Sequence, residues 1–443
     1  MKSFSEYQSV AVGSGFAGLA AANCADQPVH VFDNLRVPGG RARLSQLKSP
    51  ALPDLGPSFA HGTELHQMLR EVCFPDSASV SLDNLNCWIC DSNGKMSELN
   101  IKESPLLLLE ALQSGMQLHK ENISVEEWFD IERDRLNDEF NTQYLNIAKT
   151  LLSADTGAAL SKIGVSSSWD GSTADQVGSE PTSLVVSGGL GKLAEHLCER
   201  ASNRHGADLF HFRRTLVGVD FDNNSCRLLF RDHESRVTMV AAESVFLSMP
   251  VDRIKGLSLT DQDGNRIGVF EDLLDRNTRR ALNMIEMGKV VKIVVKLARP
   301  VTEPKYLPAH ISVADQECAS VWLFPYEEGQ SALLYLGGDP AVRIAGLSKP
   351  ELDQWIRGYL KNYLKTDAQS WNICSWVKGS GGYSYIIPDR SEDEFRPRRY
   401  LEAPQLGGKL FLGGEACTTT HPTFVAGAIN TGKRFAEAIR ERR

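Results

Sequence analysis

The sequence predicts an α/β protein, a Rossmann-like dinucleotide-binding domain with an α+β substrate-binding domain inserted into it. Three observations carry that expectation. Apolar residues 10–12 run into Gly13-Ser14-Gly15-Phe16-Ala17-Gly18 and then an alanine-rich segment, the order of strand, glycine turn and helix. Residues 29–32 form a second short apolar run ending in Asp33, about 20 residues after the first glycine, where a carboxylate takes ribose hydroxyls. Near the end of the chain, residues 409–412, 413–415 and 423–440 repeat the strand, turn and helix pattern.

The three glycines answer three needs: a tight turn, close approach of backbone to a pyrophosphate, and close packing of helix on strand. The turn alone admits NAD or FAD. With 443 residues and 42% hydrophobic content the chain can build two or three domains. A formal charge of -8 argues against a nucleic-acid partner, because a phosphate backbone demands a basic face. No apolar run approaches the ~20 residues that span a bilayer, so no membrane partner is expected. The glycine turn stands too near the first residue for a secretory signal to precede it, and the nine cysteines are scattered, as in reduced cytoplasmic proteins. Cys87 and Cys90 form one C-x-x-C without further ligands at zinc spacing, so they read as structural and no metal is expected.

Downstream of the second strand, Gly39-Gly40-Arg41-Ala42-Arg43 places guanidinium groups beside the nucleotide edge, where their fork suits phosphate oxygens. Asp54-Leu55-Gly56-Pro57-Ser58-Phe59 is a turn with small residues that lets a flat ring lie close to backbone. Residues 104–160 read as helices, one of them opened by Ser124 as N-cap with Glu127 three positions on. The charges from Glu132 to Glu139 suit a solvated face. Gly189-Leu190-Gly191-Lys192-Leu193-Ala194 imitates a second dinucleotide turn and leaves a nicotinamide site open. Alternation over residues 290–297 puts Lys292, Val294 and Lys296 on one strand face, which by itself is an amphipathic strand with solvated lysines. Tyr383 and Tyr385 share a face if residues 383–385 are extended; with Trp376 they suit either a core or the wall of a planar ligand site.

Taken together, these motifs resemble the flavin-containing amine oxidase superfamily, which includes monoamine oxidases, polyamine oxidases and bacterial amino acid oxidases. The resemblance rests on Gly13 to Gly18, Asp33, Gly39 to Arg43, Asp54-Leu55-Gly56, Gly188-Gly189, Met287-Gly288 with Lys292-Ile293, Gly382-Tyr383-Ser384-Tyr385, and Gly413-Gly414-Glu415 followed by Gly427-Ala428. It implies noncovalent FAD, with its pyrophosphate at Gly13, Ser14, Gly15, Ala17, Gly18, Gly40 and Arg41, its ribose on Asp33 and its adenine near Val217. Gly414 and Glu415 would meet the ribityl or phosphate region. Gly56, Pro57, Ser58 and Phe59 would line the ring, and the helix start at Phe424 and Val425 would lie under its pyrimidine edge. Lys292 falls where the family holds a water against flavin N5, and Tyr383 and Phe424 fall where many members place two aromatic walls. Pro57 departs from the family, which commonly has a second glycine there.

The resemblance also implies a domain division: residues 1–75, 181–255 and 400–443 for FAD, and 76–180 with 256–399 for substrate. The expected reaction oxidises a C–N bond of a small amine or amino acid to an imine, with molecular oxygen reduced to hydrogen peroxide. A desaturase or dehydrogenase of a carbon skeleton, and a binding protein that keeps FAD as a structural element, are the alternatives. The chain carries no signal for an oligomeric state.

Overall fold

The computed structural model describes residues 3–42, 56, 60–61, 63–71, 80–81, 86–99, 105–119, 121–168, 183–185, 189–221, 226–261, 264–326, 329–378, 381–390 and 395–442. Pro57, Ser58 and Phe59 lie outside them, as do Arg43, Asp54, Leu55 and Gly188.

A nine-stranded sheet is built around the strand Ser3–Val12. That strand pairs in parallel with His30–Phe32 on one side and Val237–Leu247 on the other, and Leu410–Leu412 pairs in parallel with Val237–Leu247. Val10, Ala11, Val245 and Phe246 are buried to within 1%, which explains their uninterrupted apolar runs: a parallel sheet is covered on both faces. An antiparallel meander, Thr215–Phe221, Cys226–Arg231 and Val237–Leu247, extends this sheet. Two short strands, Ser258–Thr260 and Arg266–Val269, complete its far edge.

Helix Phe16–Cys24 is almost wholly buried because it lies between other elements. It packs on Gly189–His205 and most extensively on the terminal helix Val425–Glu441. The close fit is made at Gly432, where an added Cβ would stand 2.2 Å from the Ala17 carbonyl oxygen.

A seven-stranded sheet forms the second layer system, in the order Ala368–Ser375, Val290–Leu297, Gly329–Gly337, Ser320–Tyr326, Ala309–Val313, Asn86–Cys90 and Met96–Leu99. Val291, Ile293 and Val295 join a core with Ile344, Leu352 and Ile356 from two helices on one side. The expected helical region resolves into Pro105–Gln117, Val125–Ile131, Arg133–Glu139 and Thr142–Thr156. Ser124 Oγ accepts the Glu127 N–H at 3.1 Å, the cap that the sequence predicts. Arg135 reaches both Glu132 and Glu139, so that charged stretch is a solvated face. Cys87 and Cys90 share one strand, their odd spacing puts them on opposite faces, and burial pushes the Cys90 thiol up to about 11. All eight described cysteines are free thiols. Among the described residues no helix is long and apolar enough to cross a membrane.

Buried His310 gives this sheet a pH dependence. Its Nε2 lies 3.1 Å from Ser320 Oγ, and burial lowers its pKa to about 3. A folded pKa below the unfolded value stabilises the neutral form. That contribution is complete above about pH 6.5 and is lost as the pH falls toward 3. Between pH 7 and pH 5, His310→Gln should therefore lose about 2 kcal/mol less stability than the parent chain, measured by urea unfolding.

Candidate active site

The first glycine turn has the geometry that its sequence predicts. Gly13 adopts φ +113°, and a Cβ there would meet Ser248 Oγ at 2.9 Å; its N–H donates to the Phe32 carbonyl at 2.8 Å, closing the turn onto the second strand. Gly15 caps the helix, and space around its missing side chain is open for 4 Å. The helix start therefore faces a cleft with its unpaired N–H groups and positive dipole end.

Asp33 is buried at the end of the second strand. Its Oδ2 accepts the Ser14 N–H at 2.6 Å and the Ser14 hydroxyl at 2.7 Å, and its Oδ1 accepts the Leu35 N–H at 2.7 Å. Ser14 thus turns its side chain onto Asp33. The carboxylate braces the turn and keeps lone pairs for a further donor. Val217 is half-buried on the strand Thr215–Phe221, close behind Arg214, whose N–H donates to the Asp33 carbonyl.

Gly39 donates to the Ser14 carbonyl, so the second glycine turn stacks on the first and delivers Gly40 and Arg41. Arg41 Nη1 donates to Glu415 Oε1 at 2.9 Å and to the Gly382 carbonyl. Glu415 is 5% exposed and also accepts from Ser384 Oγ, which in turn accepts from Arg398. Arg398 is 1% exposed, so Glu415 is paired directly with Arg41 at the cleft and linked through Ser384 to a buried guanidinium. Sequence reasoning missed Arg398, because Arg396-Pro397-Arg398-Arg399 has the composition of a solvated turn.

Lys292 is 5% exposed and donates from Nζ to the Gly56 carbonyl at 2.7 Å, with Nζ 5.1 Å from the centre of the Tyr335 ring. The amphipathic-strand expectation of solvated lysines fails at Lys292. Its strand lies between Gly329–Gly337 and Ala368–Ser375, and both faces are covered. Tyr383 and Tyr385 also part company. The strand starts at Ser384, so Tyr383 stays in the turn and lines the cleft, whereas Tyr385 is buried and donates to Glu286 at 2.8 Å. The second dinucleotide turn does not form a nucleotide unit. Its lead strand Ser183–Val185 pairs antiparallel with Ala60–His61 and Val80–Ser81 and takes no place in the parallel sheet.

One cleft joins these parts. Gly15, Ala17, Arg41, Gly414 and Glu415 line one portion; Gly56, Val290, Trp376, Gly382 and Tyr383 line another; Phe424 and Val425 open the terminal helix onto it. The turn before that helix is strained, since Thr423 holds φ +71° and His421 φ +49°, conformations that β-branched and bulky side chains rarely adopt outside functional sites. Gly13, Ser14, Gly18, Asp33 and Gly40 stand behind the lining as supports. Among the described residues no group of three or more His, Cys, Asp or Glu is arranged to hold a metal.

Comparison with known proteins accords with this geometry. Residues 16–440 match the family described as flavin containing amine oxidoreductase. A structure of putrescine oxidase bound to putrescine superposes with a TM-score of 0.77 at 16% identity, covering 99% of this chain and 100% of the other. Cyclohexylamine oxidase from Brevibacterium oxydans IH-35A gives 0.76 at 15% identity, covering 98% and 99%. No curated protein sequence matches the chain. The likeness in structure shows the fold; the match over nearly the whole sequence shows the family. The chain belongs to the flavin-containing amine oxidoreductases, a family of oxidoreductase enzymes.

Proposed function

We propose that the chain binds FAD noncovalently and oxidises a C–N bond of an amine or amino acid to an imine, with molecular oxygen reduced to hydrogen peroxide. The observation that carries this reading is the continuity of one cleft from Gly15, Arg41 and Glu415 to Trp376, Tyr383 and the neighbourhood of Lys292. A dinucleotide turn and an aromatic chamber are both needed, and they open into the same space.

The residues fit FAD on physical grounds. Gly15 leaves backbone exposed to a diphosphate, the helix start and Arg41 offer N–H donors, and Asp33 retains acceptor capacity for ribose hydroxyls. In this reading the pyrophosphate is held by Gly13, Ser14, Gly15, Ala17, Gly18, Gly40 and Arg41, and the adenine lies near Val217. Gly414 and Glu415 serve the ribityl region, and Gly56 with Pro57, Ser58 and Phe59 serves the ring. Residues 1–75, 181–255 and 400–443 would form the FAD domain, with 76–180 and 256–399 the substrate domain.

Bound flavin supplies the acceptor for a hydride equivalent from the carbon beside the amine nitrogen, and oxygen takes those electrons on. Tyr383 and Phe424 flank the amine and exclude bulk water, which favours the neutral nitrogen and fixes the angle of the C–H bond. Lys292 holds an ordered water through Nζ while its bond to Gly56 fixes the side chain. The positive end of the terminal helix at Phe424 and Val425 stabilises negative charge that develops beside it. Water then hydrolyses the released imine.

The test is anaerobic titration of the yellow holoprotein with amines, polyamines and amino acids. Bleaching of the flavin band, reversed by air with formation of peroxide, is the expected result. Bleaching only by unsaturated or cyclic carbon skeletons would replace this reading with a desaturase. Acid precipitation should leave the flavin in the supernatant; flavin retained in the pellet would overturn noncovalent binding.

A further inference from the structure

Arg398 sits behind the cleft on the short helix Pro397–Glu402, which packs against helix Arg276–Met284. It is among the largest fully buried side chains of the described residues, and a guanidinium stays out of water only where its donors are used. Its Nη2 donates to Ser384 Oγ at 3.3 Å, and that hydroxyl lies 2.5 Å from Glu415 Oε2. The other carboxylate oxygen, Oε1, accepts from Arg41, whose Nη1 reaches the Gly382 carbonyl as well. Arg41, Gly382 and Glu415 all line the cleft. A run of hydrogen bonds thus begins at a buried charge and ends at the wall of the site.

The chemistry of these groups sets the direction of the run. A guanidinium carries donors only, and a hydroxyl has one proton to give. Ser384 Oγ therefore accepts from Arg398 and directs its proton at Glu415. Glu415 is then an acceptor at both oxygens, one toward Ser384 and one toward Arg41. Cys417 adds no competing charge: burial and Glu415 push its thiol up to about 12 against the opposing effect of Arg398, so it stays neutral. The backbone beside Ser384 is anchored independently, since Ser384 pairs with Met287 across two antiparallel strands and the Gly288 N–H donates to the Tyr383 carbonyl at 2.7 Å. The hydroxyl is the part of Ser384 that Arg398 governs.

We infer that Arg398 is a positioning residue for cofactor binding: by setting the direction of the Ser384 proton it holds the Glu415 carboxylate on Arg41 and so preorganises the Arg41 guanidinium at the cleft. This inference rests on the flavin-binding reading above and deepens it. Without Arg398 the Ser384 hydroxyl can turn away, Glu415 keeps one fixed bond of two, and Arg41 has to be ordered when the cofactor arrives, which weakens binding.

The experiment titrates flavin-free protein with FAD, following protein fluorescence, for the parent chain, Ser384→Ala, Arg398→Gln, Arg398→Lys and the double variant Ser384→Ala with Arg398→Gln. The thermal midpoint of each flavin-free protein is the folding control. Ser384→Ala and Arg398→Gln should each weaken FAD binding by about tenfold, the scale of one charge-assisted hydrogen bond. Glutamine has an acceptor that lets the Ser384 proton turn away from Glu415, whereas lysine has donors only, so Arg398→Lys should recover most of the loss. The double variant should bind no more weakly than the single variants, because both changes break the same run. A residue that only supports the fold would lower the midpoint of Arg398→Gln and leave the affinity of Ser384→Ala at the parent value. That result, or losses that multiply in the double variant, would overturn the positioning role and leave FAD binding standing. Should Arg398→Gln fail to fold, Ser384→Ala decides, since it breaks the run with the guanidinium in place: a tenfold loss supports the role and parent affinity overturns it. Failure of the parent chain to bind FAD would remove the cofactor reading itself, and the positioning role with it.

Discussion

Gly15→Leu should yield a folded protein that is colourless. The backbone at Gly15 has φ -69°, which any residue adopts, and a Cβ there meets nothing within 4 Å. A leucine side chain would therefore be tolerated by the fold and would occupy the cleft where a diphosphate must approach the helix start. Flavin affinity should fall by about a hundredfold or more, corresponding to ~3 kcal/mol of lost contact, with the thermal midpoint of the flavin-free protein unchanged. The contrasting variant is Gly18→Ala, whose methyl group would stand 1.9 Å from the Gly13 carbonyl oxygen. That change should disrupt the packing of helix on turn and lower the midpoint itself. Flavin-to-protein absorbance ratios and thermal unfolding of the two variants separate the effects. Full flavin content in Gly15→Leu would rule out this turn as the diphosphate site.

Lys292→Met should slow turnover by about two orders of magnitude while leaving flavin content near that of the parent chain, in line with loss of one preorganised charged group. Removing Nζ also deprives the Gly56 carbonyl of its donor, and a buried unsatisfied carbonyl costs about 1–3 kcal/mol of stability. Stopped-flow measurement of flavin reduction and of reoxidation by oxygen shows which half-reaction carries the loss. Unchanged rates with a lowered thermal midpoint would reduce Lys292 to a tether for Gly56.

The nucleotide half was legible because its requirements are local. A positive φ at Gly13, a buried parallel strand at Val10 to Val12 and an acid at the end of the next strand are each written in a few adjacent residues. Ser124 was readable for the same reason. Lys292 shows where locality ends: the alternation of its strand is real, but whether a face meets water depends on neighbouring strands and helices far away in sequence. Tyr385 shows it too, since the strand boundary at Ser384 decides which tyrosine reaches the cleft. Arg398 carried no signal, because charged residues usually face solvent and only tertiary packing withdraws one from it.

Glu415 receives Arg41 from near the start of the sequence and Ser384 from near its end, and strand Leu410–Leu412 must dock on Val237–Leu247 before Glu415 can be in place. This has a consequence for biosynthesis. A nascent chain that has emerged only as far as residue 400 has the glycine turn but neither Glu415 nor the helix Val425–Glu441 that packs against Phe16–Cys24. The cleft is therefore completed only once residues 382–441 have folded onto the first 42, and a chain cut short before Glu415 should lack the intact site.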